Sequence, residues 1–213
     1  MLKFKLLKNH GGIMLLGDWN TLDILHDVVH HVNEHSILIH DKEGWFLGLA
    51  YDIRKAKEGM REVIHPPTYA PEEGILYGEK ILWPVLLSQH RMLRGSLAFM
   101  PSGSREQAMV YALEWVIETA LEKDFEENAP SIIAAWKGMM PDHPSLEKKI
   151  SSRCAQFAAW GKKDRKDYLA NLLESLDPMY DIWYKHHIEN GIKALDPEEL
   201  DKWDDREWPD PKI

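Results

Sequence analysis

The sequence predicts a mainly α-helical fold of the α+β class: a single multi-helix domain with a short β-hairpin at the N-terminus. Three observations support this prediction. The chain has 213 residues, enough for one domain with a sizeable core. Residues 2–7 alternate apolar and polar side chains, as a half-buried strand does. Nearly every later segment has apolar residues at helical spacing, with proline or glycine between segments.

The hairpin is predicted from its turn residues as well as from its strands. The segment NHGG supplies turn formers, and residues 13–16 form a second apolar run, so the hairpin covers residues 1–17. The spacing then becomes helical. Asp18 or Asn20 can cap the first helix, because a short polar side chain at that position accepts a hydrogen bond from a free backbone N–H.

The rest of the domain, which extends over residues 1–213, is expected to be helical. We expect helices near 20–35, 44–61, 78–99, 104–125, 128–138, 145–160, 164–176, 179–190 and 197–203. The last of them lies in an acidic tail, residues 196–213, which contains two tryptophans. Tryptophan buries a large apolar area, so the tail is expected to dock on the body or on a partner.

Composition and charge limit the function classes. The formal charge is −9, from 35 acidic and 26 basic residues. This balance argues against duplex DNA and anionic membranes as partners, since both attract concentrated positive charge. The lone Cys154 excludes an intramolecular disulfide and a cysteine-rich zinc site, and it suits a reducing compartment. The N-terminus does not resemble a signal peptide, and the longest apolar run is too short to span a bilayer. We therefore expect a cytoplasmic protein.

The segment LDILHDVVHHVNEHS contains four histidines on one predicted helix. On a helical wheel its apolar residues cover one face, while Asp23, His26, His30 and Glu34 lie on the opposite face. His26 and His30 are four residues apart, so both imidazoles project from the same side and could chelate a divalent metal such as zinc. The carboxylates could add oxygen ligands or orient the rings.

A simpler interpretation of the same segment is the solvated face of an amphipathic helix. The HExxH motif of zinc proteases is absent, and no third ligand can be assigned from elsewhere in the sequence. His31 and His35 form a second pair at the border of the apolar face. If the polar face packs on another subunit, acidification would charge several histidines and loosen that contact. All three interpretations stay open.

The segment ILWPVLLSQHRMLRGSLAFM is apolar around most of its circumference, yet it contains His90, Arg91 and Arg94. Permanent positive charge on a mostly buried helix needs carboxylate partners. Glu114 and Glu118 lie on one stripe of the next helix, and antiparallel packing would bring the two stripes together. One interpretation is an ion-pair network. The other is an anion-binding cleft, with the arginines facing a phosphate or carboxylate and His90 acting as an acid or base.

The leading functional hypothesis is a non-enzymatic helical protein that binds a protein partner or a second copy of itself, without a cofactor. The patterns of nucleotide-binding loops and serine hydrolases do not occur in the sequence. Nine tryptophans favour a filled core or an aromatic interface, and Trp203 and Trp208 are the candidate interface residues. The alternatives are a metal-binding protein or metal-dependent hydrolase at His26 and His30, and the anion-binding site described above.

Three segments carry a resemblance to a known family: LLKNHGGIMLLGDWNTL, FLGLAYDIRKAKEGMRE and ILWPVLLSQHRMLRGSLAFM. With them the chain resembles a family of uncharacterised bacterial proteins that share a domain of unknown function. The resemblance covers most of the chain. It implies a bacterial or phage origin, and it implies no activity, cofactor or site residue.

Overall fold

A computed structural model describes residues 1–70, 72, 74–204 and 206–213. It confirms the mainly helical α+β class. The helices of the described residues are α1 (Trp19–His35), α2 (Gly48–Lys57), α3 (Trp83–Ser96), α4 (Ser104–Phe125), α5 (Ala129–Gly138), α6 (Ser145–Ala159), α7 (Lys162–Glu174), α8 (Tyr180–Glu189) and α9 (Pro197–Asp201). Their buried apolar side chains form a contiguous cluster with those of the sheet.

Over the described part of the chain, the sheet has four antiparallel strands: β1 (Lys3–Leu6), β2 (Gly12–Gly17), β3 (Glu62–Ile64) and β4 (Leu76–Leu82). The predicted hairpin is confirmed, because β1 pairs with β2 from Lys3 opposite Leu16 to Leu6 opposite Ile13. The strand order is β1-β2-β4-β3, so the hairpin is one half of a larger sheet.

The prediction of a helix over residues 78–99 was wrong at its beginning. Residues up to Leu82 belong to β4, and α3 begins at Trp83 with Pro84 in its first turn. Proline is favoured there because the first-turn N–H groups have no partner within the helix. The strand forms because β4 pairs with β2 along six residues, a long-range contact that overrides local spacing.

The predicted helix over residues 44–61 is shorter in the structure. A single 3₁₀ turn at Trp45–Leu47 precedes α2, and the helix ends at Lys57. Gly59 follows in the left-handed region with φ of 72°, which glycine adopts without steric cost. The chain then enters β3, so two further strands lie in a region that the sequence predicted as helix and loop.

At Gly12 of β2 the backbone of β4 leaves no room for a side chain. A Cβ there would lie 2.0 Å from the carbonyl oxygen of Ile81, so no other residue fits at this position without moving a strand. The hairpin tip is fixed by Asp124 of α4. One carboxylate oxygen lies 2.9 Å from His10 Nδ1, and the other accepts a hydrogen bond of 2.9 Å from Trp83 Nε1.

The helix α1 begins as the sequence predicted. Asp18 is the cap, and its carboxylate accepts a hydrogen bond of 2.9 Å from the backbone N–H of Thr21. The apolar residues of α1 are buried against α2 and the sheet, so its histidine-rich face is directed away from the core. Among the described residues, every helix is too short or too polar to cross a membrane.

Candidate functional site

The histidines of α1 form two pairs. The ring centroids of His26 and His30 lie 4.5 Å apart, and those of His31 and His35 lie 4.4 Å apart. Burial lowers the pKa of His26, and the positive charge of Lys57 and the neighbouring His30 lower it further. A lowered pKa favours the neutral form of the His26 ring, which is the form that ligates a metal.

The predicted carboxylate partners of that pair are placed differently. Asp23 accepts a hydrogen bond from Lys57, which lowers the pKa of the Asp23 carboxyl. Glu34 is exposed, and one of its carboxylate oxygens lies 3.9 Å from His35 Nδ1. Across the described ranges, no three His, Cys, Asp or Glu side chains come together as a metal-binding group. Among the residues that the structure describes, the pair His26 and His30 therefore has no third protein ligand.

His90 lies inside the core rather than on a surface. It is fully buried on α3, its ring packs 5.1 Å from the Trp136 ring, and its Nε2 lies 3.2 Å from the carbonyl oxygen of Val110. A carbonyl only accepts, so Nε2 carries the proton and donates it. Burial lowers the pKa of His90 to about 3. A ring of this kind stabilises the packing of α3 on α4 and is not an acid or base facing solvent.

Arg94, Glu114 and Glu118 belong to an ion-pair network, as one of the two sequence interpretations predicted. Arg94 Nε donates to a carboxylate oxygen of Glu114 at 3.1 Å, while Glu118 accepts from Lys137 of α5. Lys137 also lies 3.8 Å from Glu114. The network joins α3, α4 and α5. Lys137 has no counterpart in the sequence prediction, because its helix is not adjacent to α3 in the chain.

Arg91 stands apart from this network. Its Nε donates to the carbonyl oxygen of Met139 at 3.0 Å, and no carboxylate of the described residues lies within ion-pair distance of it. Arg91 instead lines a solvent-exposed cleft of about 420 Å³, here called the arginine cleft. The cleft is lined by Arg91, Arg94, Phe99, Glu114, Lys137 and Asp142, among others.

The tryptophans of the tail lie against α6 of the same chain. Trp203 Nε1 donates to the side-chain oxygen of Gln156 at 2.6 Å, and Trp208 Nε1 donates to the Ser151 hydroxyl at 3.3 Å. Asp201 forms an ion pair with the fully buried Arg153. The tail also contacts the body at Lys212, whose carbonyl oxygen accepts hydrogen bonds from Asn9 and Arg165. The tail is therefore docked on the body, and Trp208 keeps 41% of its surface exposed.

A second cavity, here called the tryptophan cavity, lies where the tail crosses the sheet and α6. Its volume is about 360 Å³, which is the lower end of the range for small-molecule sites. The apolar side chains of its wall are Trp45, Ile81, Leu82, Val85, Ile150 and Trp208. They come from the 3₁₀ turn before α2, from β4, α3 and α6, and from the tail.

Two polar groups in this wall lack hydrogen-bond partners. Gln89 is 3% exposed, and its Nε2 donates to the carbonyl oxygen of Trp45 at 3.1 Å. Gln89 Oε1 and Trp45 Nε1 are both buried, and neither has a partner within the described part of the chain. Buried polar atoms are nearly always paired, so an acceptor and a donor without partners indicate a place for water or a ligand.

The remaining polar residues of the wall differ in reactivity. Burial raises the pKa of the Asp52 carboxyl, although Arg61 lowers it in part. Burial also raises the pKa of the Cys154 thiol, so this thiol is not a nucleophile at neutral pH. Ser151 accepts the hydrogen bond of Trp208. The wall is suited to recognising a ligand rather than to attacking one.

Sequence reasoning did not identify the tryptophan cavity. Its residues are spread from Trp45 to Trp208, and they meet only through the fold. The one signal was Trp208 itself, which the sequence assigned to an interface. The interface with α6 that the structure shows is within the chain.

Comparison with known proteins yields a family and no relative of known function. A profile described as "Domain of unknown function (DUF6904)" matches residues 2–210, nearly the whole chain. No curated protein and no solved structure gives a significant match. The resemblance to a family with a domain of unknown function is thereby confirmed, and it implies no activity. The chain belongs to the DUF6904 family.

Proposed function

We propose that this protein binds a small, mainly apolar molecule in the tryptophan cavity. One observation carries the proposal: an apolar cavity of about 360 Å³ whose wall contains an unpartnered buried donor, Trp45 Nε1, and an unpartnered buried acceptor, Gln89 Oε1. An apolar pocket with a few polar groups is the usual form of a small-molecule site. The non-enzymatic binding role expected from the sequence is thereby made specific.

The cavity limits the size and chemistry of the ligand. At roughly 30 Å³ per water-sized group, it takes a molecule of about a dozen non-hydrogen atoms. The apolar wall favours a ring or a branched hydrocarbon body. A group that both accepts and donates a hydrogen bond, such as an amide, a hydroxyl or an imidazole, would satisfy Trp45 and Gln89 together.

We propose that the protein acts in the cytoplasm of a bacterium. The bacterial assignment rests on the family resemblance. The cytoplasmic one rests on the single free and buried Cys154, which suits a reducing compartment. A protein partner or a second copy remains part of the proposal, through exposed surface other than the indoles of Trp203 and Trp208, which are engaged by α6.

The proposal is tested by two-dimensional ¹H–¹⁵N NMR of the tryptophan indole N–H signals during titration with benzimidazole. Benzimidazole has nine non-hydrogen atoms, one nitrogen acceptor and one N–H donor. Indole is the matched compound, because it has the donor and lacks the acceptor. We expect benzimidazole to shift the signals of Trp45 and Trp208 saturably, and to bind about fivefold more tightly than indole, as one hydrogen bond contributes about 1 kcal/mol.

Trp19 serves as the internal control, since it is exposed on α1 and does not line the cavity. Signals are assigned from the variants Trp45→Phe, Trp208→Phe and Trp19→Phe. Equal shifts at all three tryptophans, or no saturable shift at millimolar benzimidazole, would contradict the proposal.

A further inference from the structure

The arginine cleft contains Arg91, which forms no ion pair with a carboxylate among the described residues. Arg91 is half-buried, and its Nε is held by the carbonyl oxygen of Met139. Among residues that the structure describes, none accepts a hydrogen bond from its two terminal nitrogens. Burial lowers the pKa of Arg91 and the positive charge of Arg94 lowers it further, while the carboxylates of Glu114 and Asp142 raise it in part.

The neighbouring cations are fixed and already paired. Arg94 donates from Nε to Glu114 and from Nη2 to the Tyr111 hydroxyl at 2.8 Å, with its guanidinium 4.4 Å above the Tyr111 ring. Lys137 is bonded to Glu118. These contacts hold the walls of the cleft in place. Both terminal nitrogens of Arg91 are left without a hydrogen-bond partner among the described residues.

The charges favour a singly charged ligand. The charges of Arg94 and Lys137 are balanced by those of Glu114 and Glu118. Asp142 is then the remaining carboxylate beside Arg91 in the lining of the cleft. Asp142 is exposed and forms no ion pair with Arg91 in the described structure. A dianion would also face the carboxylates of Glu114 and Asp142 at the same cleft. A carboxylate has one negative charge and two oxygens that match the two parallel N–H groups of a guanidinium.

The rest of the cleft is apolar. It is lined beside the charged groups by Gly95 of α3, by Ala98 and Phe99 of the turn that follows, and by Pro141. Phe99 keeps 54% of its surface exposed, so its ring is available to contact a ligand. The cleft therefore offers a cationic end and an apolar side, in a volume of about 420 Å³.

We propose that the arginine cleft binds a small organic monocarboxylate, with its carboxylate bidentate on Arg91 and its hydrocarbon or aromatic body against Phe99 and Pro141. This site is separate from the tryptophan cavity, and neither proposal depends on the other. His90 takes no part, since its ring lies in the core between α3 and Trp136.

The test uses benzoate as the probe and benzamide as its uncharged match, each titrated into the wild-type protein and followed by ¹H–¹⁵N NMR. We expect benzoate to shift the backbone amides of Gly95 and Phe99 saturably, with a Kd at least tenfold lower than that of benzamide. Shifts of the Trp45 and Trp208 signals report the tryptophan cavity separately. Equal affinities of benzoate and benzamide, or no saturable shift at Gly95 and Phe99, would overturn the proposal.

Two variants locate the contact. Arg91→Gln removes the charge, and Arg105→Gln is the matched control, because Arg105 is exposed, pairs with Asp27 and does not line the cleft. We expect the Kd for benzoate to rise at least tenfold in Arg91→Gln and to stay unchanged in Arg105→Gln. If Arg91→Gln does not fold, Arg91→Lys keeps the charge without the parallel donors, and its Kd is expected to rise severalfold. An unchanged Kd in the folded variant would refute the role of Arg91. Inorganic phosphate binding more tightly than benzoate would refute the carboxylate assignment.

Discussion

His90 makes a specific contribution to the pH dependence of stability. The ring is buried against Trp136, its pKa is lowered to about 3 from an ordinary 6.5, and its Nε2 donates to Val110. In the unfolded chain the same ring takes up a proton below about pH 6.5. Between those two pH values the unfolded state binds more protons than the folded state, so stability falls as the pH falls.

The size of this effect follows from the two pKa values. A single group contributes at most about 1.4 kcal/mol per pH unit inside the window. Between pH 6 and pH 4.5, the contribution of His90 to the free energy of unfolding decreases by about 2 kcal/mol. The substitution His90→Gln keeps an N–H donor for the Val110 carbonyl and removes the titrating group. The variant should therefore lose about 2 kcal/mol less than the wild type over this interval.

The measurement is urea-induced unfolding of both proteins at pH 6.0 and pH 4.5, followed by tryptophan fluorescence. All other titrating groups are shared, so the difference between the two pH dependences isolates His90. An equal loss of stability in wild type and His90→Gln would refute the placement of a neutral histidine in the core. In that case the difference in unfolding free energy between the two proteins would be the same at both pH values.

Three further predictions concern other buried or cavity-lining groups. Arg165 is fully buried and donates to the carbonyls of Phe157, Ala158 and Asn9. Arg165→Met should therefore reduce the free energy of unfolding, measured by urea unfolding, by about 3 kcal/mol or more. A loss below about 1 kcal/mol would contradict this prediction. Native Cys154 should react with Ellman's reagent about 100-fold more slowly than in urea, since the thiol is buried; equal rates would count against that burial. Trp208→Ala should weaken benzimidazole binding about tenfold by opening the cavity, while Trp183→Ala, equally exposed on α8 and outside the cavity, should leave the NMR-measured Kd unchanged.

Local sequence signals predicted much of the fold. The β1–β2 hairpin was found because its alternation and its turn residues are encoded within seventeen residues. The helix α1 was predicted for the same reason, with Asp18 and Asn20 as alternative caps, of which Asp18 is the cap in the structure. β4 was missed because its strand conformation depends on pairing with β2, about sixty residues earlier in the chain. The residues of β4 also lead directly into α3, so the sequence predicted one continuous helix over most of both elements.

The candidate sites were predictable only in part. A helical wheel places Arg91 and Arg94 on related stripes, and the structure shows both at one cleft. A helical wheel does not show how deeply each side chain is buried in the folded protein. It therefore could not show that His90 lies in the core while Arg91 reaches the surface. Lys137 and the tryptophan cavity were not predictable, because their neighbours come from segments distant in the chain. The metal hypothesis for His26 and His30 stays a prediction.

The central claim is that the tryptophan cavity is the ligand site, and Gly48 offers the most direct test. Gly48 begins α2 and lines the cavity; a Cβ there would lie 3.7 Å from Gln89 Nε2, an ordinary contact. The Cβ of Gly48→Leu is therefore accommodated, and we expect the rest of the leucine side chain to occupy the cavity; leucine also has a higher helix propensity than glycine. Gly138→Leu is the matched control, because a Cβ there has no described atom within 4 Å and the residue is outside the cavity.

The deciding measurement is the Kd of benzimidazole for wild type, Gly48→Leu and Gly138→Leu, determined by NMR titration at one pH and temperature. We expect the Kd to rise at least tenfold in Gly48→Leu and to be unchanged in Gly138→Leu, and we expect both variants to remain as stable as the wild type. Unaltered binding by a folded Gly48→Leu variant would contradict the assignment of the tryptophan cavity as the ligand site.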